Sequence, residues 1–433
     1  ERQSTWLPDL CPCAVMVDPG ADLRTSSEDM AAPVPATSSR SWGSRHGRRR
    51  LQWSLLLACG AGSAFAPRTS PPRHLAARAK ADCFWDEQLP ALQDQAEETL
   101  GLPYLPEPGM LPSWAAPVLV VPHKVQRDIE QLEYLVSKGL LDPEMENYVA
   151  EFALPEFRMA LEVVNQALEG TSDDSAVIDP NEHLGLFFGL HNRHLHLNPG
   201  EPIRGPVVNE AVDWEEVQAT FAESKHRAVV VDDFLSDAAL QALRDFLLES
   251  TIWMDVKRGY VGAYLQTGLA SPLIAQVDKE IRGALPHVLG GLEFQNAWAY
   301  MYEGTLPGIG VHADDSQVQV NIYLTPTEAN MWTSDPSLPS GGLVIYGVGP
   351  PEGWDFSKYN SESKNPQLQD ALAASGYWNL TVPYIQNRAV LFDSTYLHRT
   401  DDLQFREGYA NRRINLTFLY GKRDQLSPAP PVT

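Results

Sequence analysis

His312 and Asp314 stand two residues apart in Val311-His312-Ala313-Asp314, and a third candidate ligand, His398, follows in Tyr396-Leu397-His398. On an extended strand, residues two apart project from one face. Two neutral imidazoles and one carboxylate gathered on one side of a metal leave its opposite positions open, a ligand set suited to ferrous iron. Beyond His398, the run Arg413-Ile414-Asn415-Leu416-Thr417-Phe418 alternates polar and apolar residues, which puts Arg413, Asn415 and Thr417 on one face. A guanidinium fork grips both oxygens of a carboxylate, which a lysine ammonium cannot match. An arginine set in an apolar strand also needs a buried partner, because an unpaired buried charge is costly. A bound dicarboxylate would be one. A His-x-Asp pair alone says little; the ordered set with a distal histidine and a strand arginine says much more.

Further candidates lie upstream. Tyr300 and Tyr302 share a face of an alternating aromatic run, and Asn321 sits in the next alternating run; each can reach the same carboxylate. Arg412 points away from Arg413 and reads as a surface ion-pair residue. Thr400, Asp401 and Asp402 follow His398 and can orient its imidazole. His183, His191, His194 and His196 fall close together, but without acidic neighbours they read as a connecting segment with some buried imidazoles.

Periodicity gives the elements that must carry these residues. Val125, Ile129, Leu132, Leu135 and Val136 mark an amphipathic helix from Lys124. Asp142-Pro143 starts another, continuing to about Gly170 with a break near Pro155. Six prolines from Pro103 to Pro122 mark 82–122 as an irregular wrapping segment. Ala228 to Asp232 predicts a strand, Ser236 caps a helix, and Ser271 to Leu285 predicts a second helix. Strand patterns then dominate: Trp298 to Tyr302, Val318 to Leu324, Gly342 to Tyr346, Arg388 to Phe392 and Ile414 to Tyr420. Helices followed by a run of strands predict an α+β protein with a double-stranded β-helix (jelly-roll) core. Such a barrel has an open mouth that can hold a metal and a small cosubstrate.

Composition limits the alternatives. A hydrophobic content of 43% with 21% charged residues is that of a globular protein. The net charge of -23 argues against an extended nucleic-acid surface, which needs clustered Lys and Arg. Beyond Cys83 there is no cysteine, so metal sites must use His, Asp and Glu. Residues 30–81 hold nine basic residues and no acid, whereas from Asp82 onward 50 acids face 22 bases. Arg48-Arg49-Arg50, a short apolar run from Leu51 to Gly62 and Ala64-Phe65-Ala66-Pro67 then read as a signal and cleavage zone, followed by acid-free transit-like sequence. The two signals in series resemble the bipartite presequences that deliver proteins to secondary plastids; a secretory or cytoplasmic location is the alternative. The apolar run falls short of a membrane span, which needs about 20 residues. Met30 opens the acid-free stretch and is a candidate start.

The combination of Val229-Val230-Val231-Asp232-Asp233-Phe234-Leu235-Ser236, His312-x-Asp314, Gly341-Gly342-Leu343, Phe392-Asp393-Ser394, His398 and Arg413 resembles the 2-oxoglutarate- and Fe(II)-dependent dioxygenases of the prolyl 4-hydroxylase-like branch. The likeness spans residues 228–421. It implies that His312, Asp314 and His398 bind Fe(II), and that Arg413, with Asn415, Tyr300, Tyr302 and Asn321 as helpers, binds 2-oxoglutarate. It implies hydroxylation of a C–H bond on a small molecule or protein, with succinate and CO2 as coproducts and ascorbate as an optional reductant. The Arg413 strand is also similar to that of the nucleic-acid dealkylating branch. Collagen-type prolyl hydroxylases carry lysine where Arg413 stands, and a shorter span than the 86 residues from His312 to His398. The expected organisation is a targeting or disordered segment at 1–81, a Pro-rich wrap and helical segment at 82–222, a dioxygenase domain at 223–425 and a tail at 426–433. An insertion at about 326–383 is the expected substrate lid. A non-catalytic cupin-like metal barrel and a nucleic-acid demethylase remain the alternatives.

Overall fold

Apolar periodicity divides the chain between a layer of helices and a pair of facing sheets. The computed structural model describes residues 73–304, 308–360, 366–376 and 378–423, all within the unit Arg68–Thr433. α1 (Arg73–Leu100) comes first. The paired strands β1 (Val118–Val120) and β2 (Ala176–Ile178) bracket α2 (Pro122–Lys138), α3 (Pro143–Tyr148) and α4 (Leu154–Leu168). α5 (Gly185–Leu190) and α6 (Trp214–Glu223) lead to β3 (Ala228–Val231) and α7 (Asp237–Glu249). β4 (Asp255–Lys257), β5 (Tyr260–Tyr264), α8 (Pro272–Ala284) and α9 (Pro286–Leu289) follow. The remainder is β6 (Phe294–Tyr302), β7 (Val318–Tyr323), β8 (Leu343–Tyr346), α10 (Phe356–Tyr359), α11 (Pro366–Ser375), β9 (Asn379–Val382), β10 (Ala389–Asp393), β11 (His398–Thr400) and β12 (Ile414–Tyr420).

The strands form a seven-stranded sheet in the order β3-β10-β7-β12-β6-β5-β4 and a three-stranded sheet in the order β11-β8-β9, antiparallel throughout. An antiparallel bridge between His312 and His398 adds one more line of chain beside β11. This is a jelly roll. One face of the large sheet (Val261, Ala299, Val320, Leu391, Leu416) packs on α7 and α8 through Leu243, Phe246, Leu273 and Val277. The opposite face meets the small sheet, with Tyr302, Tyr323, Val390 and Phe392 against Leu343, Ile345 and Val382. The period of two in each strand makes that division.

The helical layer has its own core of Val125, Leu132, Phe157, Val164 and Phe187. Pro122 stands at the start of α2, and Gly139, at φ 62°, ends it by donating to Val136 O. Asp142 caps α3, and a π-helical turn at Val149–Ala153 supplies the expected break before Pro155. α2 is seated on the barrel part: Gln131 Nε2 donates to Ser250 O at 2.8 Å and to Leu248 O at 3.2 Å.

Two expectations are corrected. Residues 82–100 are helical and belong to α1, which also crosses the junction expected at 81–82. The prolines that suggested an irregular wrap cluster only after Leu100, and Pro90 is accommodated inside the helix. Nor is 326–383 an insertion into the barrel, because it contains β8 and β9, two strands of the small sheet. The presequence features before residue 73 and the tail at 426–433 lie outside the described residues.

Gly342 shows how tightly the small sheet closes. A Cβ there would sit 1.8 Å from Val382 O, so the backbone itself must move to admit one. At Gly283, near the end of α8, a Cβ would meet nothing within 4 Å. Gly342→Ala should therefore lower stability by at least about 3 kcal/mol, and Gly283→Ala should raise it by up to about 1 kcal/mol. Urea unfolding of both variants measures the contrast; equal effects would contradict this packing.

Candidate metal centre

The two histidines meet through backbone hydrogen bonds. His312 N donates to His398 O at 2.9 Å and His398 N donates to His312 O at 2.7 Å. The imidazole centroids lie 4.3 Å apart. Asp314 Oδ2 lies 3.4 Å from His398 Nε2, and Asp314 Oδ1 lies 3.9 Å from His312 Nε2. One ligand atom from each of the three side chains falls within 4.8 Å of the others, the only such group of His, Cys, Asp and Glu found among the described residues.

The hydrogen bonds set the tautomers. His312 Nδ1 lies 2.8 Å from Gly310 O, and His398 Nδ1 lies 3.0 Å from Tyr396 O. A carbonyl only accepts, so each Nδ1 carries a proton toward it and each ring turns its Nε2 toward Asp314. Thr400 and Asp401, expected to orient His398, do other work. Thr400 Oγ1 bonds Tyr302, and Asp401 accepts from Ser340 and Arg399. A backbone carbonyl two residues before each histidine orients its ring instead.

Burial, then the neighbouring His398, pushes His312 down to about 4, so it stays neutral. Burial would raise Asp314, but His398 and then His312 outweigh it and hold its carboxyl below the ordinary range. Asp314 Oδ2 is buried without a hydrogen-bond partner. A buried carboxylate oxygen with none, facing two imidazole Nε2 atoms, fits a divalent cation.

Two residues brace Asp314 from behind, and periodicity gave no hint of them. Asn360 Nδ2 donates to Ala313 O at 2.9 Å and lies 3.5 Å from Asp314 Oδ1. Arg423 donates to Asp314 O and Thr395 O and stacks on Tyr359. Tyr359 packs with Ala313 and Leu397, so this part of 326–383 supports the metal strand.

Arg413 is 1% exposed. Its Nε donates to Gly341 O at 2.6 Å and its Nη1 to Asn415 Oδ1 at 2.8 Å, and Asn415 donates in turn to Thr417. The guanidinium lies 4.4 Å from the Tyr302 ring, 5.0 Å from Tyr384 and 5.6 Å from Tyr323. Tyr302 thus contributes its ring face, while its hydroxyl meets Thr400 at 3.2 Å. Tyr300 bonds Tyr264 at 3.0 Å, in the same aromatic cluster as Tyr302. Asn321 pairs across from Thr417, and its Oδ1, like Gln319 Oε1 and the Tyr323 hydroxyl, is buried without a hydrogen-bond partner. Three unsatisfied polar groups on one inner wall mark a place where a polar ligand fits. Tyr323 was missed, although the alternation that offered Asn321 puts it on the same face.

Arg412 corrects an expectation. It is half-buried and makes a two-pronged pair with Glu130 of α2, both N···O distances being 2.9 Å. Among the four clustered histidines, His191 faces Asp128 at 3.5 Å, an acidic partner distant in sequence. His194 bonds Thr267 O, and His183 is exposed. They gather no metal site among the described residues.

Fold and site together define a jelly-roll barrel with a two-histidine, one-carboxylate metal centre. Comparison with family models and with curated protein sequences finds no match. Among solved structures, the chain is similar to the non-haem α-ketoglutarate-dependent carbocyclase SnoK from nogalamycin biosynthesis, at 16% identity and a TM-score of 0.33 over 53% of this chain and 97% of that one. It is similar to HygX from Streptomyces hygroscopicus, solved with nickel and 2-oxoglutarate, at 14% identity and a TM-score of 0.33 over 48% and 87%. It is also similar to a Pseudomonas putida prolyl-4-hydroxylase, at 18% identity and a TM-score of 0.31 over 48% and 99%.

The lowered His312 makes stability depend on pH. Its ordinary value is 6.5, and it is held near 4 in the fold. Below 6.5 the unfolded chain takes up a proton that the folded chain refuses, so stability present above 6.5 is lost as pH falls through about 4. Thermal unfolding in chelator across this range should show the loss in wild type and a smaller loss in His312→Gln. Parallel curves would remove His312 as the cause.

Proposed function

We propose that this protein is a 2-oxoglutarate- and Fe(II)-dependent dioxygenase that hydroxylates a C–H bond of a small molecule or protein side chain. One observation carries the reading: the triad and Arg413 are linked across the interior between the two facing sheets. His398 and Thr400 are two residues apart on β11, about 7 Å along a strand, and Thr400 bonds the tyrosine whose ring lies over Arg413. On this reading a five-carbon dicarboxylate would lie between them, with one end at Arg413 and the other at the metal. His312, Asp314 and His398 would hold Fe(II), and Asn415, Tyr300, Tyr302 and Asn321 would line the cosubstrate's path.

Bound Fe(II) with 2-oxoglutarate supplies the oxidising chemistry: the oxoacid loses CO2 to give succinate, and one oxygen atom of O2 goes to the substrate. The chain's own contribution is positional. The carbonyls of Gly310 and Tyr396 hold both Nε2 atoms inward. Asp314 is held ionised, and as a ligand it would occupy the position that a halide would need, which would favour hydroxylation. Arg413 keeps one proton donor on Gly341 O and one on Asn415, so its plane is fixed before any ligand arrives.

A plain metal barrel of the cupin kind has no need of a buried arginine aligned with its metal. Succinate release from 2-oxoglutarate with Fe(II) and ascorbate separates the two. His312→Ala and Asp314→Ala should each abolish iron retention and turnover, whereas Arg413→Ala should raise the 2-oxoglutarate KM by about 10- to 100-fold with iron binding retained. Iron-loaded wild type without succinate release would sink the oxygenase reading. Delivery to a plastid belongs to the same proposal, on the strength of the acid-free stretch at 30–81. Amino-terminal sequencing of the protein from its own cells should find a start between 66 and 82; an intact basic stretch would contradict it.

A further inference from the structure

The helical layer reaches the barrel through a run of paired charges that leaves α2 and returns to it. Arg127 of α2, fully buried, pairs through Nη2 with Glu303, and Glu303 also pairs with Arg412. Arg412 returns to α2 by its two-pronged contact with Glu130. The run therefore starts and ends on one turn of α2, since residues three apart on a helix are neighbours.

Its barrel members stand beside the residues that face the cavity. Glu303 follows Tyr302 and Arg412 precedes Arg413, and Tyr302 N donates to Arg413 O at 3.0 Å. Neighbouring residues on extended chain point to opposite sides. Tyr302 and Arg413 therefore turn inward, stacked ring on guanidinium, while Glu303 and Arg412 turn out toward α2. Arg127 Nε and Nη1 are buried without partners, so its position is set by Glu303 and not by a full set of local bonds. Ion pairs with so much desolvation to offset are weak evidence of stability and better evidence of fixed geometry.

We propose that α2 is part of the cosubstrate site: Arg127 and Glu130 are positioning residues that hold the strand ends bearing Tyr302 and Arg413, and so set the affinity for the dicarboxylate. The proposal rests on the reading of Arg413 as the carboxylate-binding residue. It gives the helical layer a role in the site, which its seating on the barrel alone would not.

The test uses the full chain and two separate affinities. Mn2+ binding is measured by electron paramagnetic resonance without cosubstrate, and 2-oxoglutarate binding by calorimetry on the Mn2+-loaded protein. Arg127→Met should weaken 2-oxoglutarate about tenfold and the milder Glu130→Gln a few-fold, with Mn2+ affinity unchanged in both. Wild-type 2-oxoglutarate affinity in both variants would overturn the proposal, and so would a parallel loss of Mn2+ affinity, which marks general loosening. If Arg413→Ala weakens 2-oxoglutarate while both α2 variants do not, this proposal fails and the reading of the site stands. If Mn2+-loaded wild type takes up no 2-oxoglutarate, both fall together.

Discussion

Two backbone hydrogen bonds, exchanged between His312 and His398, are the constraint on which the site depends. They join points 86 residues apart in the chain and place one imidazole beside the other. The ring orientations and the position of Asp314 follow from local rules. Asp314 arrives because it is two residues from His312, and both rings are turned by carbonyls two residues back. Loss of the bridge would leave three polar side chains in an apolar interior with no common target. Those hydrogen bonds in turn need β11 in register with β8, where His398 lies opposite Ile345.

Arg413 poses the opposite electrostatic problem. A permanent cation is placed where water is excluded, and its local partners are a carbonyl, an amide oxygen and three aromatic rings. Carbonyl and amide oxygens and ring faces attract a guanidinium, but none brings a full negative charge. The surrounding wall keeps polar atoms of Gln319, Asn321 and Tyr323 unpaired as well. An interior shaped for stability alone would have used apolar residues there.

Support comes from outside the barrel on two sides. Asn360, Tyr359 and Arg423 hold the backbone around Asp314, while α2 holds the outward residues next to Tyr302 and Arg413. Rigid backing of this kind keeps the side chains within the tolerance that metal binding requires.

The sequence by itself determined the jelly-roll class, the three metal-facing residues and the polar face of Arg413, Asn415 and Thr417. It could do so because a period of two records which side of a strand each residue occupies. Short strands with little alternation, such as β4 at Asp255–Lys257 and β9 at Asn379–Val382, left no such record. Only the tertiary structure decided that 326–383 completes the small sheet and that Asn360 and Arg423 brace Asp314. It alone moved Arg412 from a solvent-facing pair to a half-buried run of ion pairs with α2, and gave His191 its partner Asp128. The physical reason is the same in each case. Such contacts join residues far apart in the chain, and an amide or guanidinium tip is placed by packing that no local spacing encodes.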